Sequence, residues 1–292
     1  MRESLVCIGQ IAKNPYRFPE TGVTVYSYEE LCYYLGNHLI CYLYTLPEEN
    51  LCEFIRDELG LDRLYRQLIK FQDPARDQMK YFATVFREGN YYSEDEIREI
   101  LDRYRKLKNA PQYQKCKWLG DLFVRNDHAK MAMEYYKEAL KEDGLTEAEQ
   151  GSIYHNLGVA LVRLFRFSDA KIHFLKAYMN TGDERSLYYY YGIIAVTEGL
   201  TIADEEVKDF EGVELLLDGF HEQFAKLQSD FQASDGVEKF RKMYYLSEHG
   251  REQECGAVWS RLIRGLQSSF RGQLEEGDRL LVTNLPSNDV IS

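Results

Sequence analysis

Residues 117–140 read KWLGDLFVRNDHAKMAMEYYKEAL and residues 155–178 read HNLGVALVRLFRFSDAKIHFLKAY, and the two stretches superimpose at a spacing of 38 residues. Trp118, Leu119, Gly120 and Phe123 fall on Asn156, Leu157, Gly158 and Leu161; Ala132, Tyr136 and Ala139 fall on Ala170, Phe174 and Ala177. A weaker third copy begins 34 residues later at Tyr191–Gly192, with Ala195 where Phe123 and Leu161 stood. A fixed period of this length marks stacked helical hairpins, because one hairpin cannot bury its apolar faces alone. Gly120 and Gly158 stand where a first helix meets Ala132 or Ala170 of the second. Small residues there let two backbones approach, while Phe123, Tyr136, Leu161 and Phe174 fill the space on either side.

The rest of the chain also reads as helix. Only six prolines occur in 292 residues. Ser27 with Glu30 and Ser93 with Glu96 have the Ser-x-x-Glu spacing that caps a helix start. Leu31, Tyr34, Leu35, His38, Leu39 and Tyr42 follow the first cap at helical spacing; Ile97, Ile100, Leu101, Tyr104 and Leu107 follow the second. Pro47 is expected to open a helix that Gly60 ends. A short helix follows from Asp62 to about Phe71, and Asp73–Pro74 starts another that Gly89 stops. Val23–Tyr26 is a short candidate extended segment. With no strand alternation and no βαβ rhythm, the class is all-α.

The repeats place helices near 112–126, 128–141, 147–164, 168–180 and 184–197, with Gly144 and Gly182 as caps of the second helices. The third copy then departs from the pattern. From about Ala203 onward, Phe210, Val213, Leu217, Phe220, Phe224, Leu227 and Phe231 alternate at three and four, a heptad seam. Such a helix serves either as a homodimer contact over 210–231 or as a long helix laid on the repeat array. Helices near 235–248 and 251–276 close the array. The expected organisation is a helical region over 1–110, repeats over 111–200, closing helices over 201–280 and a frayed tail over 281–292.

At Trp118–Gly120 with Ala132, Tyr136 and Ala139, and at Leu157–Gly158 with Ala170, Phe174 and Ala177, the chain resembles the tetratricopeptide repeat (TPR) family. The resemblance covers about 112–200. It implies an all-α helical-hairpin solenoid, a right-handed superhelix, with flanking helices at both ends. It also implies a groove lined by the first helix of each pair and gripping a partner peptide or helix. By that geometry the groove residues are Lys117, Asp121 and Arg125 from the first copy, His155, Asn156 and Arg163 from the second, and Tyr189 and Tyr190 from the third. Gln114, Val124, Ser152, Val159, Ser186, Ile193 and Val196 complete the expected lining. One TPR subclass clamps the carboxylate tail of heat-shock chaperones with five Lys, Arg and Asn positions. Only Lys117 and Asn156 fit that pattern, and Asp121 would repel the carboxylate, so chaperone-tail binding is rejected.

Composition narrows the function further. Net charge is −12, from 36 basic and 48 acidic residues. An acidic body disfavours nucleic acid, whose counterions Lys and Arg must replace, and an anionic membrane surface. Cysteines 7, 32, 41, 52, 116 and 255 show no metal-ligand spacing and read as small buried hydrophobes of a reducing compartment. The start, MRESLVCIGQIAKNP, carries Glu3 and too short an apolar run for a signal peptide. The run Leu39–Leu46 cannot span a bilayer, which takes roughly 20 residues. A cytoplasmic location is expected. Tyrosine is abundant, with 23 copies, and suits half-exposed grooves and helix interfaces.

No HExxH, P-loop, GxSxG or post-strand GxGxxG occurs. The adjacent acids Glu29–Glu30, Glu48–Glu49 and Glu205–Glu206 lie near helix starts, where the macrodipole favours them. The sequence therefore predicts no catalytic residues, no metal and no cofactor. It predicts an adaptor or scaffold that binds a protein partner. The second reading is a TPR-type regulator that senses a short peptide and controls a partner protein. A DNA-binding version of that regulator fails on charge, since residues 1–50 hold three basic residues against six acidic.

Overall fold

The computed structural model describes residues 8–210, 212–265 and 267. Cys7, the expected tail at 281–292 and the last part of the expected closing helix lie outside them. The described chain is all-α, apart from strands Tyr16–Arg17 (β1) and Thr24–Val25 (β2), which pair antiparallel with Tyr16 opposite Val25. The second strand falls within the expected extended segment. Two compact units divide the chain, one ending at Asp143 and the other beginning at Gly144. Helices pack mainly on their sequence neighbours, in a repeat-like manner. Among the described residues no helix is long and apolar enough to cross a membrane.

The first unit holds α1 (Tyr28–Asn37), a 3-10 turn (Leu39–Tyr42), α2 (Glu49–Asp57), α3 (Asp62–Leu68), α4 (Pro74–Arg87), α5 (Glu94–Asn109), α6 (Gln112–Arg125) and α7 (Ala129–Ala139). At α5 the capping box forms in full: Glu96 N–H donates to Ser93 Oγ at 3.3 Å, and Ser93 N–H donates to Glu96 Oε2 at 2.8 Å. At α1, Ser27 Oγ accepts from Glu30 N–H, but the Glu30 carboxylate takes the N–H of Tyr26. Pro47 does not open α2; Glu48 is its cap and Glu49 its first residue.

Buried tyrosines build this unit's core. Each ring fills apolar volume and each hydroxyl needs a partner once water is gone. Tyr28 donates to the Val85 carbonyl at 2.5 Å, and Tyr104 to the Tyr42 carbonyl at 2.9 Å. The Gln78 side-chain amide donates to the same Tyr42 carbonyl at 2.7 Å. Those bonds tie α1 to α4, and α4 and α5 to the 3-10 turn. Gly89 is required by close approach: a Cβ there would lie 2.3 Å from the Tyr28 ring. Cys32, Cys41, Cys52 and Cys116 are buried free thiols, and burial pushes Cys32 and Cys116 up to about 12.

The second unit holds α8 (Glu147–Arg163), α9 (Phe167–Thr181), α10 (Glu184–Thr197), α11 (Leu200–Val207), α12 (Glu214–Gln232) and α13 (Asp235–Glu248), with helix again over 252–265. Thr146 and Glu149 form a capping box at α8 that the sequence reading did not single out. Gly182 caps α9 in the left-handed conformation, at φ +66°. Gly144 does not cap α7, which ends at Ala139 with Leu140 as its cap; Gly144, at φ +83°, sits in the following turn.

The heptad seam is not one helix. The chain breaks between Val207 and Glu214, with Gly212 at φ +75°, so Phe210 and Val213 precede α12. Phe210 packs on Tyr178, ring centroids 5.4 Å apart, and Phe220 packs on Tyr188 and Tyr191 at 5.1 and 5.2 Å. The first half of the seam is thus internal packing. Its far end, Leu227 and Phe231, is exposed.

Inside each hairpin the glycine faces an aromatic ring. A Cβ on Gly120 would lie 2.5 Å from the Tyr136 ring, and one on Gly158 2.8 Å from the Phe174 ring. A Cβ on Gly192 would meet nothing within 4 Å. We expect Gly120→Ala and Gly158→Ala each to destabilise the protein by about 1–3 kcal/mol, since buried rings must move. Gly192→Ala should instead stabilise it by about 0.5–1 kcal/mol, as Ala replaces Gly inside a helix. Urea denaturation of the three variants checks the contrast.

Candidate functional site

The missing contact at Gly192 opens a groove. Tyr136 and Phe174 each come sixteen residues after their glycine; sixteen after Gly192 stands Lys208, beyond the end of α11. No ring arrives over Gly192, and α12 meets α10 through Phe220 and His221, which pack on Tyr188 and Tyr191. Past those contacts the two helices enclose an apolar cavity of about 780 Å³. Tyr188, Tyr189, Gly192, Ile193 and Val196 of α10 form one wall; Phe224, Leu227 and Phe231 of α12 form the other. Leu200 closes one side, and Val162 and Phe167 of the preceding hairpin border it. Apart from the two tyrosine hydroxyls, the polar side chain in this lining is Gln228. Val196 is 69% exposed and Phe231 63%. Exposed apolar side chains thus lie side by side along this groove.

Tyr189 joins this groove to a polar pocket. Its ring stacks on Phe174 at 5.1 Å and meets the edge of His155 at 5.5 Å. His155, Asn156 and Ser152 of α8 line a pocket of about 290 Å³ with Asp183, Arg185 and Ser186 at the start of α10. Ser186 Oγ donates to Asp183 Oδ2 at 3.1 Å and lies 2.8 Å from His155 Nδ1. With the serine proton on Asp183, His155 Nδ1–H donates to Ser186 Oγ and Nε2 is left as an acceptor. Ser, His and Asp are the residue types of a hydrolase triad, but the order is wrong: the serine sits between the other two, and Ser186 is buried. The network positions an imidazole rather than activating a nucleophile.

The expected groove residues separate on these facts. Tyr189, His155 and Asn156 line the second unit's connected groove and pocket, and Arg163 is exposed on α8. Tyr190 does not line a groove. It is 4% exposed and its hydroxyl donates to Glu206 Oε2 at 2.8 Å, because its position on α10 faces α11. Ser186 and Ile193 are buried as well, whereas Val196 is open. In the first unit, Asp121 accepts from Lys117 Nζ at 3.1 Å and from the Tyr136 hydroxyl at 2.7 Å, which makes this half-buried pair part of the hairpin's packing. Arg125 lines a different cavity of its own unit.

Sequence reasoning placed Phe224, Leu227 and Phe231 in a seam offered as a homodimer contact, and did not join them with Gly192 in a groove. The signal was present: the repeat glycine without its ring, and the seam that should have been filled. Among the described residues no group of three or more His, Cys, Asp and Glu side chains is placed to hold a metal ion. No protein-family model, no curated protein and no solved structure matches the chain.

Burial pushes the His155 imidazole below its ordinary value; Asp183 opposes that and Arg185 adds to it. The folded protein thus resists a proton that the unfolded chain accepts, so stability falls as pH drops from the ordinary imidazole range through the folded value. A thermal-melting series from about pH 8 to about pH 5.5 should show a larger loss for the wild type than for His155→Gln. A nuclear magnetic resonance titration should place the His155 midpoint below that of a free imidazole.

Proposed function

We propose that the chain is a TPR-like helical solenoid acting as a non-catalytic adaptor, and that it holds an amphipathic helix of a partner protein in the groove of its second unit. The observation that carries this reading is the uncovered Gly192 between α10 and α12. Two helices flanking an apolar gap are the setting for helix-in-groove recognition, read by side chains spaced three and four apart. Residues 200–232 carry nine acidic and two basic side chains. That charge favours a partner helix whose polar face is basic, chiefly by raising its association rate. The polar pocket at His155, Asn156 and Arg185 lies beyond Tyr189 and suits a polar group at one end of the bound segment. This pocket is also what favours the second reading, a regulator that senses a short peptide.

The test uses Gly192→Leu, which fills the groove where an added side chain meets open space. Selection from a displayed peptide library on the wild type, with counter-selection on Gly192→Leu, should return basic amphipathic sequences with apolar residues at i, i+3 or i+4, and i+7. Tyr189→Ala should weaken the selected peptides about tenfold or more, the loss typical of an aromatic anchor. Peptides that bind the wild type and Gly192→Leu equally would place recognition elsewhere and sink the reading.

A further inference from the structure

A second site lies in the first unit. Between the end of α1, the 3-10 turn, α5 and α6 is a cavity of about 520 Å³. Besides the polar side chains of Asn37, His38 and Asn126, its lining has two parts. One part is apolar and flat: the Trp118 indole with Leu39, Leu107 and Leu122. The other part is cationic: Arg103 from α5 and Arg125 from α6, with no carboxylate anywhere in the lining.

Both cations are uncommitted. Arg103 makes no hydrogen bond or ion pair among the described residues. Arg125 uses only Nε, donating to the Asp121 backbone carbonyl at 3.1 Å, so its two terminal nitrogens are unspent. Arg103 also borders a neighbouring cavity with Glu96, Glu99 and Asp102, and of these Glu96 and Asp102 hold other partners. Asp121 holds Lys117 and Tyr136, and Asp102, the neighbour of Arg103, holds Arg105 at 2.6 Å. Arg103 and Arg125, neither in an ion pair among the described residues, thus share a cavity whose own lining carries no carboxylate. Guanidinium groups left this way fit an external oxyanion, which each can grip through paired N–H donors. An indole beside them fits the face of a flat ring.

We infer that this cavity is a binding site for an aromatic oxyanion, a phosphate or carboxylate carried on a planar ring. The ring lies against Trp118 and the oxyanion lies between Arg103 and Arg125. The two charges favour the dianionic phosphate over the monoanionic carboxylate.

The chain has two tryptophans, and Trp259 is half-exposed, so Trp259→Phe leaves Trp118 as the sole emitter. In that background phenyl phosphate should change the emission saturably, and benzoate should do so at higher concentration. Arg103→Gln and Arg125→Gln replace exposed side chains, and unchanged circular dichroism confirms that they fold. Each should raise the dissociation constant of phenyl phosphate about tenfold, the loss of one charged hydrogen-bonding partner. Phenol tests the ring alone. An equal response to phenol and phenyl phosphate, equal affinity in both arginine variants, or no saturable change with either anion would overturn the inference. Tighter binding of benzoate than of phenyl phosphate would keep the site and assign it to carboxylates.

Discussion

The second unit depends on one contact, an aromatic ring laid over a glycine. In α8–α9 the ring of Phe174 occupies the space a side chain at position 158 would take, and Tyr136 does the same over Gly120 in α6–α7. Only a residue without Cβ admits the ring, and only a ring is flat enough to fill the gap without pushing the helices apart. Around it the alanines at 132, 139, 170 and 177 are all fully buried, which keeps the paired helices close along their length. The contact is local in sequence, so each hairpin specifies itself.

The consequence appears where the pattern ends. Gly192 retains the small residue, but α11 stops at Val207, before a ring could reach it. Below that point the third hairpin is still well packed: Leu187, Tyr191 and Ile194 are buried, and the Tyr191 hydroxyl donates to Asp204 at 2.9 Å. Above it the helices are not bridged. The glycine is costly in a helix interior by about 0.5–1 kcal/mol when it permits no close contact. Here no packing against the glycine offsets that cost, and the uncovered position leaves open space beside it.

Much of this was legible in the sequence, for reasons that can be named. Helix ends were readable wherever a side chain caps the backbone locally, as at Ser93–Glu96, or a left-handed glycine stops it, as at Gly182. Buried faces were readable from spacing, as at Leu31, Leu35, Ile97 and Ile100. Other features were not. Gly144 looked like a cap because only its distance from the repeat was visible, whereas α7 ended earlier at Leu140 without a glycine. The seam from Phe210 to Phe231 looked continuous because apolar spacing is blind to backbone sign; Gly212 at positive φ breaks it. The same blindness put Tyr190 in the groove. Tyr189 and Tyr190 are chemically identical neighbours, and about 100° of helix rotation sends one to solvent and the other to α11.

Tyrosine content and charge then have a common physical explanation. A tyrosine can be core or surface with the same atoms, provided its hydroxyl finds an acceptor. In this chain the acceptors are backbone carbonyls in the first unit, for Tyr28 and Tyr104, and carboxylates in the second, for Tyr190 and Tyr191. Asp204 and Glu206 of α11 accept those hydrogen bonds, which accounts for some of its negative charge without invoking a ligand. Asp209, Glu214, Asp218 and Glu222 have no such partner among the described residues and remain exposed. Within the second unit, Asp204 and Glu206 hold tyrosine hydroxyls, and the other four acids add charge without that role.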